Sequence, residues 1–272
     1  LDLCKLAIQH HSIPLQYIKN QSYELCELTV LNNGLHLYYV KEQTTKLCEL
    51  AVQQNGRALQ YVNTQTFNIC KLALQQNGLA LSFVPNAMRT GKICLAAVQQ
   101  NAFALQFVPN DMCTREICLA AVQQNGCALE WVPDECKTPK VCLAAVQQSG
   151  NALEWVPDEH KTPDMCFIAV QFSCQVMQYV PEACYTLETC TFVAQKWPRW
   201  FMTYVPETFQ TAEMCLNIVR RNGTLLHMVP KIHVTPKLCM EAVQSSGAAL
   251  EYVPKALKTQ EMRLIAIRNY GD

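Results

Sequence analysis

Charge of either sign is scarce in this sequence. Its 22 Lys plus Arg balance 22 Asp plus Glu, and charged residues make up only 16% of the chain. Nucleic-acid binders gather basic residues on one face or stripe. Here the basic residues stand singly between apolar stretches, which argues against a polyanion partner. Long apolar runs are missing too: nothing approaches the ~20 residues needed to span a bilayer. Neither Cys-x-x-Cys nor His-Glu-x-x-His occurs, so the ligand spacing of a zinc site is lacking. The nine glycines never cluster into a phosphate-cradling loop, and the six histidines share no common spacing. No stretch alternates apolar and polar residues with the period of two that marks a half-buried strand.

Cysteine, by contrast, is abundant at 16 residues. Eleven of these stand at one recurring position: Cys4, Cys26, Cys48, Cys70, Cys94, Cys118, Cys142, Cys166, Cys190, Cys215 and Cys239. They recur at steps of about 22–25 residues, the shorter ones first, and a period of that size marks a repeat architecture. Four residues before the cysteine lies Ser or Thr, from Ser22 to Thr235, and Thr259 continues the series where Arg263 replaces the cysteine. These are preferred helix N-caps. Pro139, Pro163 and Pro236 follow at the first helical position, where a missing N–H does no harm. Glu24, Glu116, Asp164 and Glu188 suit the positive end of the helix dipole. Glycine eight residues after the cysteine, at Gly34, Gly56, Gly78, Gly126, Gly150, Gly223 and Gly247, predicts a left-handed C′ residue that ends a helix of ten or eleven residues.

A shorter apolar unit follows, such as Ala128-Leu129-Glu130-Trp131-Val132, which fits one or two helical turns and is stopped by Pro133. Polar residues then lead to the next Thr. The expected fold is all-α: an α-solenoid of eleven helix–turn–short-helix repeats, each of about 22–25 residues, closed by a final helix near residues 260–269. Residues 1–272 read as one repeat domain. Because the chain opens inside a repeat, a place in a longer polypeptide or assembly is expected. Regularity fails at residues 190–210, where Trp197-Pro198-Arg199-Trp200 replaces the glycine turn.

Equivalent positions on packed neighbouring helices lie roughly 8–10 Å apart, beyond the ~7 Å Cα limit of a disulfide. The ladder cysteines are therefore expected to be unpaired core residues, which suits a reducing, intracellular compartment, most simply the cytoplasm. Cys113, Cys127, Cys136, Cys174 and Cys184 lie off the ladder. Those in the inter-repeat loops (Cys113, Cys136, Cys184) are expected to be incidental surface thiols, with a redox role for Cys113 and Cys136 the lesser alternative.

Two further ladders bear on function. An aromatic stripe runs Tyr17, Tyr39, Tyr61, Phe83, Phe107, Trp131, Trp155, Tyr179, Tyr204 and Tyr252, with Met228 in one place. It could stack bases, but without neighbouring basic residues burial between short helices is the expectation. Paired glutamines near the first-helix ends place Gln54, Gln76, Gln100, Gln124 and Gln148 where they could bond a protein partner or the adjoining repeat. Trp197, Arg199 and Trp200 are the best candidates for a dedicated contact, since Trp and Arg are enriched at interface hot spots. Space-filling in place of the missing glycine turn is the equal alternative.

The cycle T-P-x-x-C-L-A-A-V-Q-Q-N-G-x-A-L-x-aromatic-V-P resembles a short tandem repeat family known only as a domain of unknown function. That resemblance implies a helical array and nothing catalytic. No cofactor or metal is expected, and no enzymatic activity. The expected function is a structural scaffold that binds other proteins, a component of a larger assembly. A helical-repeat nucleic-acid reader, or an accessory array of an enzyme whose catalytic part lies elsewhere, are the alternatives.

Overall fold

The computed structural model describes residues 15–269. Regular structure among them is entirely helical, with no strand. The helix expected around Cys4 lies outside the described residues. The chain divides into two compact units, Leu1–Val156 and Pro157–Asp272.

The first unit carries α1 (Tyr23–Asn32), α2 (Thr45–Gln54), α3 (Phe67–Gln76), α4 (Gly91–Gln100), α5 (Arg115–Gln124) and α6 (Pro139–Gln148), each ten residues long. The second carries α7 (Pro163–Phe172), α8 (Leu187–Lys196), α9 (Pro198–Tyr204), α10 (Ala212–Arg221), α11 (Pro236–Ser245) and α12 (Gln260–Asn269). Most start as the hydroxyl ladder predicts. The Thr162 hydroxyl accepts the Met165 N–H at 3.2 Å, and Thr259 accepts that of Met262 at the same distance. Thr90 and Thr138 sit at the same place without a side-chain cap bond. Each helix buries a narrow stripe, such as Ile117, Cys118, Ala121 and Val122 in α5. These positions i, i+1, i+4 and i+5 share one face.

The helix ends correct the expectation of a left-handed glycine. At the end of α2, Asn55 is extended, with φ −150° and ψ 110°. Its N–H closes the last turn onto Ala51 O at 2.9 Å, and its side-chain oxygen accepts the Arg57 N–H at 3.0 Å. One Asn thus ends the α-helix and caps the next element, a six-residue 3-10 helix over Gly56–Tyr61. None of Gly34, Gly56, Gly78, Gly126, Gly223 and Gly247 takes a positive φ. Glycine is required by its neighbour instead. A Cβ on Gly56 would meet the carbonyl oxygen of Ala73, in the following repeat, at 2.5 Å, and one on Gly247 would meet Ala266 O at 2.6 Å. Ala102 and Cys174 hold the glycine's place in two repeats and keep the 3-10 helix, whereas after α8 Trp197 takes the junction and α9 follows as a seven-residue α-helix with Pro198 at its first position.

The shorter, N-terminal repeats differ from the longer ones at the proline. In the longer ones, Pro is followed by a one-turn 3-10 helix such as Asn86–Met88 or Asp134–Cys136, which the shorter ones lack. Within the first unit each long helix packs on the next long helix, and each six-residue short helix on the next short one. The core lies between these two rows. It is built from the Cys-Ala-Val stripe on one side and residues such as Ala128 and Leu129 on the other.

Candidate functional site

The glutamine ladder is used between repeats. The side-chain oxygens of Gln54 and Gln76 accept the N–H of Gly34 and Gly56, each at 2.6 Å. Gln100 and Gln148 do the same for Gly78 and Gly126, both at 2.5 Å, and Gln124 for Ala102. The amide nitrogens of Gln100, Gln124 and Gln148 donate to backbone carbonyls of the preceding repeat, Gln76 O, Gln99 O and Gln124 O. All five residues thus bond the neighbouring repeat. In α11 Ser245 substitutes, its hydroxyl accepting the Gly223 N–H at 3.2 Å.

A second seam position escaped sequence reasoning: the residue just before the cap Ser or Thr. Gln43 donates to Leu37 O (3.4 Å) and Tyr61 O (2.8 Å), and its oxygen accepts the Asn63 N–H (3.0 Å). Gln21 and Gln65 likewise bridge the carbonyls at the ends of their own and the next short helix. Arg89 spreads its guanidinium over Val84 O, Phe107 O and Ser82 O at 2.9, 3.1 and 3.3 Å. Tyr185 reaches Tyr204 O at 3.1 Å through its hydroxyl. The recurrence of Gln before Ser22, Thr44 and Thr66 was the available signal. Chemically diverse substitutes thereafter hid it.

This position also lies over the ladder sulfur. The Cys48 and Cys70 thiols donate to the oxygens of Gln43 and Gln65, both at 3.6 Å. All ten described ladder cysteines are buried, none more than 4% exposed, and none is joined in a disulfide to a described residue. Burial pushes up the thiols of Cys26, Cys48, Cys70, Cys94 and Cys239, and takes Cys190 and Cys215 to about 11. At Cys166 burial and the neighbouring Cys184 together push it to about 12. A neutral thiol is a poor nucleophile, and these sulfurs pack the core.

The loop thiols are not incidental surface groups. Cys113 and Cys184 are buried, while Cys127, Cys136 and Cys174 are half-buried. Cys136 donates to Cys113 O at 3.2 Å and Cys184 to Lys161 O at 3.3 Å, the same bond made in different repeats. They turn inward because the loop would otherwise leave these carbonyls unpaired.

The aromatic stripe is half-buried, with Tyr17 and Tyr252 exposed, so the expected burial holds only in part. Small and branched residues beside the stripe, such as Ala128 and Leu129, fill the interior and leave the rings at its edge. There they meet the adjoining repeat edge-on, as Phe103 does Trp131 at 5.2 Å.

In the second unit the irregular turn is ringed by aromatics. Trp197 stands edge-on to Phe192 (5.8 Å), which stands edge-on to Phe167 (5.7 Å). The Lys196 ammonium lies 4.6 Å from the centre of the Trp197 ring. Trp200 stacks on Tyr204, one turn along α9, at 5.4 Å and 9°. Trp197 and Trp200 are half-buried and Arg199 is exposed. Beside them, Phe167, Leu187, Thr191 and Phe192 line an open groove bordered by Glu188 and Gln195, and Leu187 is 71% exposed.

Among the described residues no three His, Cys, Asp or Glu side chains converge as a metal site. No described helix is long and apolar enough to cross a membrane. Neither a curated protein nor a solved structure matches the chain. Residues 46–89 and 92–137 match in tandem the model of a family described as a domain of unknown function (DUF4116), two repeats to each match, and the chain thus resembles a short helical repeat family whose function is unassigned.

Proposed function

We propose that this chain is a non-catalytic scaffold, an α-solenoid that binds other proteins and bridges parts of a larger assembly within a reducing compartment. One observation carries the reading: the apolar groove on α7 and α8, with Leu187 exposed beside Phe167 and Phe192 and flanked by Trp197. Apolar and aromatic residues grouped at the surface mark interaction sites, whereas isolated ones do not. The lack of a basic ladder favours a protein partner over a nucleic acid, and Arg199, exposed two residues after Trp197, adds a directional polar group.

Affinity capture with the full chain as bait tests this, using wild type alongside the Leu187→Ala, Phe192→Ala double variant. The expected outcome is one or more specific proteins retained by wild type and lost from the variant at unchanged helicity. A gel shift with RNA or DNA is the counter-test: tight binding that weakens steeply with salt would overturn the proposal.

A further inference from the structure

We propose that Cys113 and Cys118 form an oxidisable dithiol, a site at which a hydroperoxide is reduced and the two sulfurs are joined. In two repeats the side chain five residues before the ladder cysteine faces its sulfur: Gln43 faces Cys48 and Gln65 faces Cys70. In one repeat that residue is itself a cysteine, and the two Sγ atoms lie 3.4 Å apart. The contact therefore follows from a geometry the chain repeats. A third thiol closes over the pair: Cys136, half-buried, donates to Cys113 O at 3.2 Å.

The pair is asymmetric. Cys118 is fully enclosed at 0% exposure, while Cys113 keeps 6%. Donation from the Cys118 thiol holds the Cys113 thiol below its ordinary value, and the same contact pushes Cys118 up. Cys113 is thus the attacking sulfur. Its thiolate takes the terminal oxygen of the peroxide, breaking the O–O bond to give Cys113 sulfenic acid and, after protonation, an alcohol or water. The Cys118 sulfur then attacks the sulfenyl sulfur, and water leaves as the disulfide forms. Two thiols lose two electrons in total, and the peroxide gains them. Closing 3.4 Å to the ~2.05 Å of a disulfide needs side-chain rotation and a small shift of the loop.

The test is to treat the folded full-length chain with hydrogen peroxide, block remaining thiols under denaturing conditions, and map linkages by tandem mass spectrometry without reduction. The expected result is a Cys113–Cys118 linkage and two fewer titratable thiols, both reversed by dithiothreitol. Cys113→Gln restores the residue type found at Gln43 and Gln65, so it should fold, as circular dichroism will report, and it should lose the linkage. A Cys136 linkage in place of the Cys113–Cys118 bond, random pairing, or an unchanged thiol count would each overturn the assignment.

Discussion

Thr138 and Thr162 hold the same place in their repeats but differ in what their hydroxyls do. Thr162 caps α7, whereas the Thr138 hydroxyl is buried without a partner. Thr162→Val should therefore cost about 1 kcal/mol in urea unfolding, the usual value of an N-cap. Thr138→Val should be neutral or slightly stabilising, since it removes an unsatisfied buried group. Glycines separate in the same way. Gly56→Ala drives a methyl into the Ala73 carbonyl and should lower stability by about 1–3 kcal/mol. At Gly91 a Cβ meets nothing within 4 Å, so Gly91→Ala should raise stability by about 0.4–1 kcal/mol. At this scale the sequence revealed which residues recur but not always why. The period located each glycine, yet its reason lies in the following repeat, as Ala73 does for Gly56, beyond any local rule.

The long helices were legible from their caps and apolar stripe, because both signals are local to a single helix. The short elements were legible as brief helices, but their 3-10 character and dual-purpose Asn caps were not. What sets them is where the next repeat offers acceptors and donors. The seam residue before the cap is the clearest case, since Gln, Arg and Tyr all occupy it and share only a target, a backbone carbonyl of the next repeat. Arg89→Met keeps the length of the side chain and removes three bonds to backbone carbonyls, two of its own short helix and its turn and one of the next. It should cost about 2 kcal/mol, the range of a hydrogen bond to a charged group. It should also speed amide exchange at the ends of those two short helices, measured by mass spectrometry.

At the scale of the whole molecule, the ladder thiols that burial pushes up make stability depend on alkaline pH. Their folded values lie above the ordinary thiol value near about 8.5, so the folded chain holds protons that the unfolded chain releases. This contribution is fully present below about pH 8.5 and is lost as pH rises through the folded values, about 11 for Cys190 and Cys215. Urea midpoints should fall progressively between those limits. A set of Cys→Ala changes along the ladder should flatten the profile. The all-helical repeat was the most legible feature of all, since many copies of one pattern average away local exceptions. The candidate groove was the least. Trp197 announced itself by breaking the period, but Leu187 and Phe192 matter through their placement beside Phe167, contributed by a different repeat.

Glycine seated under a neighbour's carbonyl, and glutamine reaching back to its N–H, also decide how such a chain can change length over generations. Seams in the first unit reuse much the same partners, so a whole repeat copied or deleted there by recombination presents similar surfaces to what remains. One residue inserted in a long helix would instead turn its buried stripe by about 100° and dismantle two seams at once. Variation in length should thus come in steps of one repeat. Finer drift stands at the proline turn, where shorter and longer repeats differ, and at the Trp197 junction, where one extra residue is taken up.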